Sequence, residues 1–544
     1  MKKSIVFYLG ILFSFFCLNI TAKAQTSKWD GHSSSTSWYN PNESIYYIQS
    51  AADLCGLSHL LMPGSYIDFT GKEVILMADI DLGNYEWETI GRIEDSYYYT
   101  FKGTFNGNGK TISGLKISAL NNGNTKTIGL FGVLMEPNAI IKNLIIEGNI
   151  DLPCNSLYGA SIGGITGLSY ATIYNCISKV NIKVSNINSS GIYIGSVIGN
   201  NYNVIRNCQA SGNIRISQDA ISKCRLGGIA GNSATGNSTI SICKSETNIT
   251  VIDGKEAIIG GISGFITGRN SNNLFSGNID ANDCYIVYAG GIMPMGDTAD
   301  NCLMLGTFSG YGKYYYKGAI IPTTGENAIT NCYYKQGTPN SSGIGTTVDD
   351  NTLKNGNPLP GFNTSIWNFS YEKYPDLHFK FEEEIEMPTI QSIILNKDNL
   401  TMNIGDTEKL YATTYPSGIT SSFIWTSSNE NVASVSSEGL VVAKEEGSTY
   451  ITVKTSNNIS TTCRVEVINN STANENIQTN KIKLIGNEES ITITSNIPIE
   501  ALIYTINGIL VEKCNLTIGT NEIPVKKGIY VIKTELGAQK VIVH

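Results

Sequence analysis

Histidine is the side chain with which a protein most readily holds a metal or transfers a proton near neutral pH, and it is scarce in this sequence. The four histidines are His32, His59, His378 and His544. They share no motif, and no zinc-site spacing such as HExxH occurs. We therefore expect no metal site, and surface or cap positions are the favoured interpretation of these residues.

Carboxylates could indicate a glycosidase, which needs two of them on one face of the protein. Asp79 and Asp81 share a strand face, and Asp280 with Asn282 and Asp283 could bind calcium through oxygen atoms. Turn formation is the favoured interpretation, because Asp and Asn bond to nearby backbone amides. The candidates lie in or near turns without a common position in the repeats: Asp79, Asp81, Asp280, Asp283, Asp297 and Asp300.

A polysaccharide lyase would need a basic residue, and four lie near successive repeats: Lys179, Arg206, Arg225 and Arg269. Solvated charges on the outer face of a repeat protein explain them equally well. The sequence has no nucleophile elbow or phosphate loop, since the glycine-rich stretch 106–109 lies between predicted strands. The chain is therefore predicted to be non-enzymatic and without a cofactor, with a lyase or glycosidase as the alternative.

Tyrosine is the chemically useful residue that folding alone explains least, with 29 Tyr against 16 Phe. Successive side chains of a strand face opposite ways, so runs of tyrosine must place some rings outward. Outward rings could stack on sugars or anchor a protein partner, although covering loops and coils is the simpler interpretation. The candidate binding residues are Tyr97, Tyr98, Tyr99, Tyr311, Tyr314, Tyr315 and Tyr316.

The elements that would position these residues repeat about seven times between Thr127 and Tyr334. Each repeat has a glycine-centred apolar strand, such as SIGGITG at 161–167, followed by a strand that begins with Asn-Cys or a variant, such as NCISKVNI from Asn175. We align one column of the second strand as Leu144, Cys176, Cys208, Cys243, Leu274, Cys302 and Cys332, with spacings of 32, 32, 35, 31, 28 and 30 residues. A constant period in this range indicates a repeat fold.

A repeat of about 30 residues with two or three short strands cannot bury its own apolar face. Stacking the repeats as coils of a right-handed parallel β-helix buries it, and the cysteine column is then interior packing rather than disulfides. The preceding asparagines would stack their amides at a corner. This column comprises Asn143, Asn175, Asn207, Asn273, Asn301 and Asn331.

The N-terminus has the pattern of a signal peptide, with Lys2 and Lys3, an apolar run to Ile20, and Ala22-Lys23-Ala24. We predict cleavage after residue 24 and a cap over 25–70, in which Ser50 and Asp53 begin a short helix. The β-helix is predicted to span 71–380, followed by an acidic, solvated join from Phe379 to Pro388. The formal charge of −8 and the lack of a basic cluster argue against nucleic acid as a partner.

Residues 29–380 resemble the GLUG-repeat proteins and the β-helix beside some IgA-protease-type surface proteins. The resemblance rests on LMADIDLG, WETIGRI, FKGTFNGNGKTISGL and IGLFG, followed by the GGI-x-G repeats and the closing segment at 361–377. It implies a secreted or cell-surface bacterial protein. The protease relatives carry a zinc HExxH motif, which this chain lacks.

Two small β-sandwich domains are predicted after the β-helix, at 388–468 and 480–544. The first resembles the bacterial Ig-like group 2 domain through Ile404-Gly405-Asp406, Trp425-Thr426-Ser427-Ser428-Asn429 and Gly439-Leu440-Val441, with Trp425 as the expected core anchor. The second resembles the C-terminal sorting domain of type IX secretion cargo through Tyr504-Thr505-Ile506-Asn507-Gly508 and Gly528-Ile529-Tyr530-Val531-Ile532.

These observations predict an exported, non-enzymatic adhesin or binding protein on the exterior of a Gram-negative outer membrane. The β-helix would present its loops and faces to a host glycan or an extracellular protein. The resemblance of the C-terminal domain implies contact with outer-membrane secretion or anchoring machinery. A structural component of the envelope or of a fimbria-like assembly is a further alternative.

Overall fold

The computed structural model describes residues 28–94, 97–118, 126–153, 159–185, 191–217, 223–233, 235–322, 328–386, 389–415, 421–455, 457–469 and 482–543. The predicted signal peptide, Cys154, His544 and nearly all of the linker before residue 480 lie outside these ranges. The chain forms two compact units. The solenoid belongs to the first unit, the C-terminal domain to the second, and the Ig-like region contributes residues to both.

The N-terminal cap contains the predicted helix. Ser50 is its N-cap, and Ser50 and Asp53 form a reciprocal capping box that satisfies free backbone amides at the helix start. Trp38, Tyr46 and Phe69 are buried beside the helix. The elements of the cap and the first coils are β1 (Ile45–Ile48), α1 (Ala51–Leu60), β2 (Glu73–Leu76), β3 (Ile80–Asp81), β4 (Arg92–Glu94), β5 (Tyr97–Tyr99), β6 (Thr104–Asn106) and β7 (Thr111–Ile117).

The repeats form the following coils, with the strands in the same order each time. Their bounds are β8 (Thr127–Ile128), β9 (Phe131–Leu134), β10 (Ile140–Lys142), β11 (Ile145–Pro153), β12 (Ser161–Gly163), β13 (Thr166–Ser169), β14 (Thr172–Tyr174), β15 (Ile177–Ser185), β16 (Ile192–Gly195), β17 (Ile198–Asn201), β18 (Val204–Arg206), β19 (Gln209–Ala210), β20 (Asn213–Ser217), β21 (Cys224–Gly227), β22 (Ala230–Ser233), β23 (Thr239–Ser241), β24 (Lys244–Ser245), β25 (Asn248–Ile252), β26 (Glu256–Gly260), β27 (Ile266–Ser271), β28 (Leu274–Phe275), β29 (Asn278–Gly290), β30 (Gly296–Asp300), β31 (Leu303–Met304), β32 (Thr307–Gly318), β33 (Ala328–Thr330), β34 (Tyr333–Lys335) and β35 (Thr346–Val348).

Successive coils pair in parallel and build one sheet of 14 strands and one of 19. Ile141 pairs with Ile173, and Ile173 with Ile205, so that equivalent residues of the repeats form interior columns. The predicted all-β class, with a parallel solenoid followed by small β-sheet domains, is confirmed. One continuous apolar core runs through the coils from the cap to Cys332.

The alternation of side chains explains why these residues form strands. In β15, Val180, Ile182 and Val184 are buried, and the asparagine and the lysine between them are exposed. A period of two places one set of side chains inside the coil and the other in water. Glycine is needed at the corners, since a Cβ on Gly195 would lie 2.2 Å from the Ile198 carbonyl oxygen.

The cysteine column lies inside the stack. Leu144 and the five cysteines Cys176, Cys208, Cys243, Cys302 and Cys332 are at most 3% exposed, and these cysteines are free thiols. Burial raises the pKa of the Cys176 and Cys243 thiols, because a thiolate would lose its hydration there.

The asparagine column forms the predicted corner in most coils. The Asn175 amide donates to Asn143 at 3.3 Å, and the Asn207 amide to Asn175 at 2.7 Å. These residues have φ near +50°, in the left-handed region that asparagine tolerates better than most residues. The amide of Asn331 likewise donates to Asn301, at 3.2 Å.

One coil departs from the predicted alignment by one residue. Lys244 pairs with Leu274, and Leu274 with Leu303, so Asn273 occupies the cysteine position and Asn272 the corner position. Leu274 therefore does not belong to the interior ladder, and Asn273 does not belong to the corner column. The Asn273 amide donates to the Ile240 carbonyl at 2.9 Å, which satisfies it inside the stack.

A closing segment packs on the outer face of the coils, next to Leu274. Its elements are α2 (Asp350–Leu353), β36 (Trp367–Asn368) and β37 (Asp376–Leu377). Trp367 is 1% exposed and belongs to an apolar cluster with Leu274, Leu303 and Tyr333. The closing segment thus covers Leu274, an apolar residue on the outer face of the coils.

The acidic segment 379–386 is bound along the solenoid, which corrects its prediction as a solvated join. We name it the acidic strap. Glu382 pairs with Lys142 at 3.0 Å and accepts from the Asn143 amide and the Tyr174 hydroxyl, both at 3.1 Å. The backbone of Ile385 exchanges two hydrogen bonds with the Asn108 side chain. Lys110 pairs with Glu384.

The Ig-like region has three small sheets. Its strands are β38 (Ser392–Leu395), β39 (Asn399–Asn403), β40 (Thr407–Lys409), β41 (Ala412–Tyr415), β42 (Ile424–Ser427), β43 (Ala433–Val435), β44 (Leu440–Ala443), β45 (Gly447–Lys454) and β46 (Ser460–Ile468). The sheet orders are β38-β41, β39-β46-β45-β42 and β40-β44-β43. Trp425 is half-buried against Gly439 rather than a fully buried core anchor, since its neighbours in β42 alternate with it toward solvent.

The C-terminal domain is built from seven antiparallel strands around its own core, in which Ile493, Ile503 and Ile532 are buried. The sheet orders are β47-β48-β51 and β50-β49-β52-β53. The strands are β47 (Ile482–Gly486), β48 (Ser490–Ser495), β49 (Ile499–Thr505), β50 (Leu510–Leu516), β51 (Gly519–Pro524), β52 (Gly528–Thr534) and β53 (Gly537–Val543).

The interior column predicts a steep difference between two substitutions at Cys208. Cys208→Ala should lower the free energy of unfolding by about 1–2 kcal/mol, because it leaves a small cavity. Cys208→Asp should lower it by roughly several kcal/mol more, because an unpaired polar group would be buried. Urea unfolding followed by circular dichroism measures both. An aspartate variant as stable as the alanine variant would contradict the interior position.

The acidic strap predicts a loss of local protection in acid. Partial burial of Glu382 opposes ionisation, but Lys142 and Asn143 hold the pKa of its carboxyl below its usual value. Its stabilising contribution is therefore complete at neutral pH and is lost as the pH falls through that lowered pKa. Hydrogen exchange of residues 379–386 should accelerate in acid and also, at neutral pH, in Glu382→Gln. The exposed neighbour offers the control Glu383→Gln, and equal exchange in the two variants would contradict the role of Glu382.

Candidate ligand-binding cleft

The predicted tyrosines lie in two separate places. Tyr97, Tyr98 and Tyr99 form β5, which pairs antiparallel with β4. Tyr97 is 70% exposed, whereas Tyr99 packs edge-on against Tyr66 with ring centroids 5.4 Å apart. Tyr311 and Tyr314–Tyr316 belong to β32 in a late coil.

The β32 tyrosines do not all face the same way. Tyr311, Tyr314 and Tyr316 are exposed, but Tyr315 turns inward and donates from its hydroxyl to the Ser309 carbonyl at 3.1 Å. Burial raises the pKa of Tyr315. Tyr315 is therefore a structural residue, and the other three are available to a ligand.

An open cleft of about 500 Å³ lies beside these tyrosines. Three consecutive coils each contribute three residues to it: Asp253-Gly254-Lys255, Asp283-Cys284-Tyr285 and Tyr311-Gly312-Lys313. The middle residue is small in every coil, and the flanking side chains are exposed. The repeat therefore presents two rows of functional groups, one of Asp253, Asp283 and Tyr311 and the other of Lys255, Tyr285 and Lys313.

A local irregularity of the strands opens this cleft. Asp253 and Asp283 have positive φ, at 60° and 58°. The pairing of β29 with β32 shifts by one residue between Asn282 and Cys284, as in a β-bulge. A bulge redirects the side chains next to it, so the residues on both sides of Cys284 point away from the core.

Aromatic rings and a cation meet on one side of the cleft. Tyr285 and Tyr314 pack edge to face at 5.5 Å between ring centroids. The Lys313 Nζ lies 4.7 Å from the Tyr285 ring centroid and 5.6 Å from that of Tyr314. Cation–π attraction of this kind restrains the lysine and both rings. These contacts therefore order part of the cleft surface.

The opposite side carries oxygen atoms. A hydrogen bond to the Asp283 carboxylate, together with its charge, raises the pKa of the Tyr311 phenol. Carboxylates accept hydrogen bonds and ammonium groups donate them, while an exposed ring offers an apolar face. A pyranose has hydroxyl groups at its edge and C–H groups on its faces, so this arrangement suits a sugar.

Several of the other residues considered for chemistry have structural partners. Both Asp280 oxygens are engaged, by the Asn282 amide at 2.9 Å and the Ser309 hydroxyl at 2.7 Å. Lys179 pairs with Glu147 on the neighbouring coil. Within the described ranges, no group of three or more His, Cys, Asp or Glu side chains is arranged to hold a metal ion.

Two more of the basic candidate residues contact neighbouring side chains. Arg225 lies over the Phe265 ring at 4.2 Å from its centroid. Arg269 pairs with Asp300 at 3.1 Å. These contacts give both arginines a structural role in the coils.

Sequence reasoning did not find Tyr285, Lys313, Lys255 or Asp253 as cleft residues. A signal was present, because Asp-Gly-Lys, Asp-Cys-Tyr and Tyr-Gly-Lys stand at equivalent positions of three repeats. It was hidden because these triplets fall between the two repeated strands, where the repeat lengths differ. Among the parts of the chain that the structure describes, no helix is long and apolar enough to cross a membrane.

Comparison with solved structures gives similarities of low identity. A structure described as a "putative immunoglobulin A1 protease" from Bacteroides ovatus is 19% identical, covers 62% of this chain and 93% of its own, and has a TM-score of 0.36. Domains 5–6 of the S-layer protein SbsC are 17% identical, cover 29% of this chain and 99% of their own, and have a TM-score of 0.16. Dimeric latent PorU from Porphyromonas gingivalis is 20% identical, covers 32% of this chain and 22% of its own, and has a TM-score of 0.11.

These structural similarities are too weak to assign a function. A search of curated protein sequences gave no match. One family is matched over part of the chain, close to the predicted boundaries of 388 and 468. Residues 389–467 match the bacterial Ig-like domain (group 2), and the chain therefore contains a bacterial Ig-like domain after its β-solenoid.

Proposed function

We propose that this protein is an exported, non-enzymatic surface protein that binds a glycan in the cleft of its late coils. The observation that carries the proposal is the row Lys255, Tyr285 and Lys313 facing the row Asp253, Asp283 and Tyr311 across about 500 Å³. A host glycan is the expected ligand, and the Ig-like domain serves as a spacer.

The charges of the cleft select the class of glycan. Two carboxylates and two ammonium groups line it, so its formal charge is balanced. A polyanionic glycan would meet Asp253 and Asp283, whereas a neutral sugar can accept from the lysines and donate to the carboxylates. A sugar ring stacked on Tyr285 places its hydroxyl groups within reach of both rows.

Support for export comes from the predicted signal peptide and from the domain types. The resemblance to GLUG-repeat proteins favours a cell-surface location. The C-terminal strands, which resemble the sorting domain of type IX secretion cargo, would carry the protein across the outer membrane or anchor it there. An extracellular protein remains the alternative ligand, and a polysaccharide-degrading enzyme the alternative activity.

Glycan binding should depend on Tyr285. We expect the mature full-length chain to bind neutral glycans on an array, and Tyr285→Ala to weaken that binding about tenfold or more, since a stacked ring is lost. The matched control is Tyr371→Ala, because Tyr371 is 74% exposed in the closing segment and outside the cleft. Equal binding by the two variants would refute the assignment of the site.

Two further measurements on the same protein distinguish a binding protein from an enzyme and a neutral ligand from an anionic one. A reducing-sugar assay on the bound glycans should show no turnover, and release of sugar would overturn the non-enzymatic part of the proposal. Binding of a neutral ligand should change little between low and high salt, because no net charge is neutralised. A steep loss of binding in salt would indicate an anionic ligand instead.

Surface display should depend on the C-terminal domain. In a bacterium with type IX secretion, removal of residues 480–544 should leave the protein on the periplasmic side of the outer membrane, because the sorting strands are lost. Removal of the Ig-like residues 389–467 provides the control, which should still be exported. Cell fractionation and surface protease digestion measure both, and normal display of the first truncation would contradict the role.

A further inference from the structure

A second, smaller cleft lies in the N-terminal cap, away from the proposed glycan site. It has a volume of about 250 Å³, and Trp29, His32, Cys55, His59, Trp87 and Glu88 are among its lining residues. The folding of the cap uses the tryptophans, which are buried there. A thiol and two imidazoles also line this open cleft.

Helix α1 brings the thiol and one imidazole together. Cys55 and His59 are four residues apart, so they share one face of the helix. The distance from Cys55 Sγ to His59 Nε2 is 3.9 Å. A thiol and an imidazole in this position can both direct a lone pair toward the same point in the cleft.

A third residue holds the imidazole in this orientation. The Ser34 hydroxyl lies 2.8 Å from the other ring nitrogen of His59, Nδ1. Metal-binding imidazoles characteristically use their second nitrogen for such a hydrogen bond, which fixes the ring and leaves the first nitrogen for the metal. The contact thus positions Nε2 toward Cys55.

We propose that Cys55 and His59 bind a soft metal cation, with Cu⁺ as the representative ion. Metal bonds of about 2.3 Å to sulfur and about 2.0 Å to nitrogen imply a separation of roughly 3.6 Å for a tetrahedral angle and roughly 4.3 Å for a linear one. The observed 3.9 Å lies between these limits. The two side chains therefore need little movement to become ligands.

The donor set selects the class of ion. Thiolate and imidazole favour copper and zinc over calcium and magnesium, which prefer oxygen. Two protein ligands suit an ion of low coordination number, and Cu⁺ is such an ion. On binding, the Cys55 thiol proton leaves to solvent and the metal–sulfur bond replaces it. His32, whose side chain is 83% exposed, lines the same cleft, and its Nε2 lies 3.4 Å from a carboxylate oxygen of Asp30.

The surroundings favour a cation. Burial raises the pKa of the Cys55 thiol, and the nearby charges of Glu88 and Asp30 raise it further. Glu88 pairs with Arg92, and Asp30 contacts His32, so neither carboxylate is held in the position of a ligand. Their negative potential still attracts a positive ion toward the cleft. The five cysteines of the interior column of the solenoid cannot compete for the cation, because they are at most 3% exposed.

The experiment titrates the mature full-length chain with Cu⁺ held by a chromophoric chelator, under reducing conditions. We expect the protein to take one equivalent of copper from the chelator. Cys55→Ser and His59→Gln should each abolish this transfer. The exposed position of His59 makes its substitution safe for folding, and thermal unfolding of each variant checks that the cap is intact.

Two further variants distinguish a built site from a chance contact. Ser34→Ala should weaken copper binding about tenfold, because loss of an outer hydrogen bond to a ligand has that effect. Cys514→Ser should bind normally, since Cys514 is a half-buried thiol of the C-terminal domain and serves as the matched control. Failure of the native protein to take copper, or retention of binding by Cys55→Ser, would overturn the proposal.

Discussion

Parallel pairing of each coil with the next is the constraint on which the rest of this structure depends. A coil of about 30 residues has no core of its own, so its apolar side chains become buried only when equivalent residues of neighbouring coils stack. Ile141, Ile173 and Ile205 illustrate the result. The constraint acts on position rather than on residue type, which is why leucine and cysteine both occupy the interior column.

The constraint also explains where the chain tolerates irregularity. A shift of one residue within a strand exchanges inside for outside, and the coil containing Asn272 and Asn273 has two adjacent asparagines that can serve either position. Asn273 becomes an interior residue because its amide finds the Ile240 carbonyl. Leu274 then faces outward, and Trp367 from the closing segment covers it.

The site proposed for glycan binding lies where the regular stacking of the coils is interrupted. At the bulge near Cys284 the strands turn their side chains outward, and three coils then offer equivalent groups at the spacing of the sheet. We propose this ladder of groups as a binding surface, since parallel pairing of the coils fixes the positions of its members. The cap shows the same principle with a helix, where a spacing of four residues brings Cys55 and His59 together.

By itself, the sequence determined the all-β class, the parallel stacking, the cap helix and the Ig-like domain, since these follow from local periodicity and from motifs. The tertiary structure alone decided which tyrosines are available, as the inward turn of Tyr315 shows. It also decided that the acidic strap binds Lys142 instead of remaining solvated. The physical reason is that partners distant in the chain meet only after the coils stack, and no periodicity records such contacts.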